Sequence, residues 1–362
     1  MPMKRFVDAA LRLLPGIALV VALAIGGKLL SNWLQTVIAV AWIRSLASSV
    51  IIAIVGGMLI GNLVPLPRFF APGIGTYEFF LKVGIVLMGA RFLLTDIARL
   101  GGIGLAVVVV EILFSIAFVG LFARMFGLPG KLGSLLSVGV GICGVSAIMG
   151  AAGSIDAKKE DTSYAIAVIL VFGAAALIVY PLIGRLLSMS DKVFGVWAGL
   201  AVDNTAEAVA TGAIYSKAAV AYTTLAKLCR NALMGFVILG FAVYYSRRGM
   251  AKEVTHKGLF LWQKFPKFVL GFLALSLLFS LLLAVFPSQE SRAFLSSKTG
   301  ALKNLSEWAF QLTFIGVGLR TSFKDMVRTG AKPLVVGVVA EAAVAVFTIG
   351  VVYAVAGFLP TL

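Results

Sequence analysis

Apolar residues in this chain gather into stretches of roughly 18 to 25, about the length an α-helix needs to cross the hydrocarbon core of a bilayer. They fall at about 13–30, 46–63, 77–93, 102–126, 132–152, 163–187, 193–215, 218–245, 267–286, 304–320 and 333–358, each bounded by Gly, Pro or charge. Hydrophobic residues make up 60% of the 362 and charged residues only 13%. No soluble globular domain has that balance, and no polar stretch is long enough to form one. The expected fold is an all-α polytopic membrane protein with about 9–11 membrane segments, forming one transporter domain over 1–362.

One pattern occurs twice. Gly89-x-Arg91-x4-Asp96-x2-Arg99-x-Gly101 follows the third segment, and Gly318-x-Arg320-x4-Asp325-x2-Arg328-x-Gly330 follows the tenth. Segments separated by an odd number run in opposite directions, so this is the sign of an inverted repeat, the usual symmetry of secondary transporters. The first repeat is placed at about 46–187 and the second at about 193–358. A weaker likeness pairs Ser146-Ala147 with Thr205-Ala206 and Gly153 with Gly212, between segments five and seven. Those two would be parallel if both crossed. If both are broken or re-entrant, one entering from each face, this likeness is inverted as well.

The net charge of +16 comes from 31 Lys and Arg spread through short connections, which suits retention on one membrane face better than nucleic acid. With the N-terminus cytoplasmic and the C-terminus external, one face carries 19 of them and the other 10; the remaining two, Lys227 and Arg230, lie inside a segment. Lys4, Arg5 and Arg12 precede the first apolar run without a small-residue cleavage site, so that run is expected to be a membrane helix. Trp33, Trp42, Trp197, Trp262 and Trp308 fall near segment ends, as interfacial anchors do.

Segment five contains Gly139, Gly141, Cys143, Gly144 and Ser146. Its literal G-x-G-x-x-G lacks the strand and βαβ unit of a dinucleotide site. In a membrane helix these glycines either open the backbone toward a cavity or allow close packing. Segment seven places Asp203, Asn204, Thr205 and Glu207 within five positions of an apolar stretch. A charge at mid-bilayer costs about 2.5–3.5 kcal/mol on insertion scales, so an ion or substrate site at an unwound helix is one explanation. A helix N-terminus with Asp203 or Asn204 as its cap is the other. Glu111 and Glu341 occupy the middles of segments four and eleven, and Lys227 and Arg230 lie one helical turn apart in segment eight. These charges either neutralise one another or serve as counter-charges for an anion and for protons. The one histidine, His256, sits in a basic loop, which excludes Ser/His or Cys/His chemistry within the membrane; no metal site or cofactor is expected. Cys143 and Cys229 are expected to be packing residues.

The chain resembles, along nearly its whole length, the YeiH-like family of bacterial inner-membrane proteins designated sulfate exporters. The matching stretches are Gly61-Asn62 with Pro65-Leu-Pro67, Gly84-Ile-Val-Leu-Met-Gly89-Ala-Arg91, Ile142-Cys143-Gly144-Val-Ser146-Ala147-Ile148, Lys158-Lys-Glu160-Asp-Thr-Ser-Tyr164, Trp197-Ala-Gly199, Thr205-Ala206 and Ala226-Lys227-Leu-x-Arg230. The resemblance implies a secondary carrier in the bacterial inner membrane, with a fold akin to cation:proton antiporters and bile-acid carriers. Where that family typically has Ser-Ile-His-Asp-Thr-Ala-Gln, this chain has Ala201-Val-Asp203-Asn204-Thr205-Ala206-Glu207. An imidazole is exchanged for Asp203, and a second carboxylate is gained at Glu207.

The function expected from these residues is ion-coupled transport of a small anion such as sulfate or a sulfonate, with no enzyme activity. Cys143, Gly144, Ser146, Asp203, Asn204, Thr205, Glu207, Lys227 and Arg230 form the candidate site, with Glu111 and Glu341 as intramembrane charge partners. The coupling ion is H+ or Na+. The alternative is a Na+:proton antiporter built on Asp203, Asn204 and Glu207. Expected partners are the anion, the lipid bilayer and a second copy of the chain in a homodimer.

Overall fold

A computed structural model describes residues 2–38, 48–92, 94–286, 288–321 and 331–358, and among them every regular element is helical. In chain order these are α1 (Pro2–Val37), α2 (Ser49–Leu63), α3 (Ala71–Ile74), α4 (Tyr77–Met88), α5 (Leu94–Met125), α6 (Gly130–Val138), α7 (Val145–Ser154), α8 (Lys159–Leu186) and α9 (Asp191–Ala201). They continue as α10 (Thr205–Tyr215), α11 (Ala219–Ala232), α12 (Met234–Arg247), α13 (Lys257–Lys264), α14 (Lys267–Val285), α15 (Gln289–Arg320) and α16 (Ala331–Val355).

Among the described residues, seven stretches are long and apolar enough to cross a membrane: Leu11–Val37, Arg68–Arg91, Gly104–Met125, Lys159–Leu186, Ala219–Arg247, Lys267–Val285 and Leu334–Phe358. The chain is a multi-pass membrane protein. The remaining expected segments are shorter or interrupted. Segment two is the 15-residue α2, segment ten is the end of the longer α15, and segments five and seven are each split into two short helices. Large side chains such as Leu121, Leu182 and Val346 are exposed, as lipid-facing positions are.

The chain divides into two compact units, each drawing on both halves of the sequence: Met1–Leu93 with Leu270–Lys324, and Leu94–Val269 with Asp325–Leu362. In the first, glycines let helices approach to backbone contact. A methyl group on Gly89 would overlap the Phe272 carbonyl, and one on Gly318 would overlap that of Ile54. The glycines that open the two copies of the repeated pattern thus do the same job. Of the rest of the pattern, 322–330 and the side chains of Asp96 and Arg99 lie outside the described residues.

The second unit packs its core around Leu135, Ile142, Ile148, Ile169, Ile238 and Ala340. Trp197, expected at the interface, is instead fully buried there: its Nε1 donates to the Ala345 carbonyl at 3.0 Å and its ring stacks 4.6 Å from Tyr180. A partner for the indole N–H is what makes that burial tolerable. Helices α9 and α11 meet through Gly195 and Gly199, four residues apart, where added methyl groups would come 2.7 Å from the Ala219 carbonyl and 2.5 Å from that of Thr223. This approach brings α11 alongside the end of α9. Gly199→Leu is expected to abolish a monodisperse folded peak in fluorescence-detected gel filtration. Gly240→Leu, at a position with open space around it, is expected to leave that peak unchanged.

Candidate functional site

Two helix breaks define the site. In segment five, α6 runs into a π-helical turn over Gly139–Cys143, then Gly144 breaks the helix at φ 64°, ψ −126° before α7 begins. A residue with a side chain rarely adopts that conformation, and π turns recur at functional positions. In segment seven, α9 ends at Ala201 and the chain is extended at Val202 and Asn204 before α10 starts at Thr205. The breaks touch: a methyl group on Gly144 would lie 3.3 Å from the Asn204 backbone nitrogen.

Breaking a helix orphans carbonyls at its C-terminal end, where the helix dipole is negative. Those carbonyls are met by two cations from α11 that are completely buried, Lys227 and Arg230. The Lys227 ammonium donates to the carbonyls of Ile142 at 3.0 Å and Val202 at 2.6 Å, one from each break. The Arg230 guanidinium donates through Nε to the Gly141 carbonyl at 3.0 Å, through Nη1 to that of Leu200 and through Nη2 to that of Val140. Gly141 and Leu200 stand in the same register as Ser146 and Thr205, so Arg230 grips equivalent positions of the two similar segments. Arg230 Nη2 also lies 3.2 Å from Glu111 Oε1, which accepts from the Ser115 hydroxyl at 2.7 Å. Glu111 and Arg230 thus form a buried ion pair.

Among the described residues, no cation is in direct contact with Asp203, Glu207 or Glu341. Asp203, 2% exposed, sits in the extended link of segment seven, and Glu341 from α16 comes within hydrogen-bonding range of it. No other described group donates to either Asp203 oxygen. Glu207, on the first turn of α10, packs against Gly173 of α8, where a methyl group would overlap its carboxyl; its Oε2 has no donor. Asn204 is the N-cap of α10, its Oδ1 accepting from the Ala206 N–H at 3.0 Å, so the cap serves Ala206 and leaves Glu207 for other duty. Thr205 Oγ1 accepts from Asn231 Nδ2 at 3.0 Å. Cys143 is buried with its thiol directed at Met234 Sδ, 3.4 Å away. Ser146 is exposed at the start of α7, and Asn204 and Thr205 are half-buried at the start of α10.

Two contributors were not singled out from sequence. Ser115 lies one turn from Glu111, a spacing that places it on the same helix face. Gly173 carries no such local signal.

The chain matches the family model described as Conserved hypothetical protein 698 over residues 15–337. It belongs to that family. Relatives of this family include three proteins named UPF0324 membrane protein. One from Nitratidesulfovibrio vulgaris is 35% identical over 83% of this chain and 53% of its own length. A second from the same organism is 32% identical over 92% of this chain and 91% of its own. A third, from Streptococcus agalactiae, is 27% identical over 90% and 92%. The chain thus spans about half the length of the first of these and most of the other two. No solved structure is significantly similar.

Proposed function

We propose that this chain is an ion-coupled secondary transporter of a small anion of the sulfate or sulfonate type. The observation that carries this proposal is the meeting of two broken helices whose freed carbonyls are tied by buried cations. Irregular backbone at membrane depth is tolerated only inside protein or along a cavity, and such breaks are where carriers bind their substrates. The starts of α7 and α10, with the Ser146 and Thr205 hydroxyls, offer backbone N–H groups and positive dipole ends to an anion. Lys227 and Arg230 stand behind them as a fixed positive field, and Asp203, Glu207 and Glu341 carry the coupling ion. In this proposal segments five and seven enter from opposite faces in an inverted repeat. The chain lies in the bacterial inner membrane as a homodimer, N-terminus cytoplasmic and C-terminus external. Proteoliposomes of purified protein are expected to move labelled sulfate or methanesulfonate under an imposed proton or sodium gradient. Absence of flux for every such anion under both gradients would refute the proposal.

A second possibility, a Na+:proton antiporter, draws on the donor-free oxygens of Asp203, Glu207 and Glu341. It predicts sodium-driven proton flux in vesicles containing no sulfate or sulfonate, abolished by Asp203→Asn.

A further inference from the structure

Four buried or partly buried carboxyl groups and two fully buried cations share the second unit: Glu111, Asp203, Glu207 and Glu341 against Lys227 and Arg230. We propose that Asp203 and Glu341 form a two-carboxyl site that holds one proton in preference to sodium.

Two carboxyl groups in hydrogen-bonding contact can be joined only through a proton, and nothing else among the described residues donates to Asp203. Two negative charges at that separation, away from water, repel strongly, and one retained proton removes the conflict. The surrounding charges agree with this count. Arg230, paired with Glu111 at 3.2 Å, and Lys227 both face Asp203 and Glu341, and Lys227 also faces Glu207. With Glu111 balancing Arg230, a pair carrying one negative charge in total balances Lys227; Glu207, Tyr180 and Cys143 are the other titratable groups that face the pair. An unbalanced charge in this interior would cost several kcal/mol. Sodium needs a shell of oxygen ligands. Five of the backbone oxygens at the two breaks, those of Val140, Gly141, Ile142, Leu200 and Val202, already accept from Lys227 and Arg230. The two side-chain cations occupy the positions where a sodium ion would find its carbonyls.

This inference rests on the transporter proposal only for the use to which the proton is put. Infrared spectroscopy of the purified full-length protein, in H2O and D2O at pH 7, tests it without measuring transport. A protonated-carboxyl C=O band is expected in the wild type and should be unchanged when choline is replaced by sodium. Asp203→Asn and Glu341→Gln should each remove the same component of that band, and Glu207→Gln should leave that component in place. A band missing from the wild type, surviving in both of those variants, or lost on adding sodium at constant pH overturns the inference. If Asp203→Asn does not fold, the wild-type sodium comparison and Glu341→Gln decide. An intact band with no anion flux defeats the transporter proposal alone, and flux without the band defeats the proton pair alone.

Discussion

Arg230→Ala is expected to leave little folded protein. The guanidinium contacts three backbone carbonyls from two helix breaks and the Glu111 carboxylate, all within the buried interior. Its removal orphans three acceptors where water cannot replace the donor, and leaves Glu111 as an unpaired buried charge. Breaking a buried pair in this way costs about 3–5 kcal/mol, a large share of the stability of an ordinary domain. Thermal unfolding of detergent-purified protein should show a sharply lowered midpoint or no cooperative transition. Arg230→Lys should recover little of it. An ammonium keeps the charge but lacks the planar fork that reaches Val140, Gly141 and Leu200 together. Adding Glu111→Gln to Arg230→Ala should recover part of the loss, because it removes the stranded charge.

Gly144→Ala is the second large effect, and it should fall on transport more than on folding. A β-carbon at φ 64°, ψ −126° is strained at a cost of about 1–3 kcal/mol. It would also press within 2.9 Å of the Ile169 side chain and 3.3 Å of the Asn204 nitrogen, at the place where the two breaks meet. Separating the breaks shifts the starts of both α7 and α10. Anion flux in proteoliposomes is expected to fall at least about tenfold, the equivalent of 1.4 kcal/mol at the barrier. Gly153→Ala, nine residues on in the same segment and with open space around it, should transport as wild type.

Much of this arrangement can be read from the chain because its causes are local. Gly139, Gly141 and Gly144 weaken one membrane helix, and the cluster Asp203 to Glu207 cannot remain in an uninterrupted apolar one, so both interruptions are visible in short windows. Lys227 and Arg230 stand out for the same reason, as charges in an apolar run. What they touch is not local. Lys227 reaches carbonyls 85 and 25 residues away, and no side-chain pattern reports the partners of a backbone oxygen. Position also misleads when only segment boundaries are considered. Trp197 lies near the start of an apolar run, yet the Ala345 carbonyl 148 residues away draws it into the core. The room that Gly173 makes for Glu207 likewise depends on two helices meeting, which no single-segment feature encodes.

The most direct test of the account is sulfate-evoked proton movement in proteoliposomes loaded with a pH-sensitive dye, with no sodium on either side. Adding sulfate or methanesulfonate to one side should change the internal pH in wild-type vesicles. Asp203→Asn vesicles holding equal amounts of folded protein should show no change. An anion-evoked pH change that persists undiminished in Asp203→Asn, or one that never appears in the wild type, would contradict it.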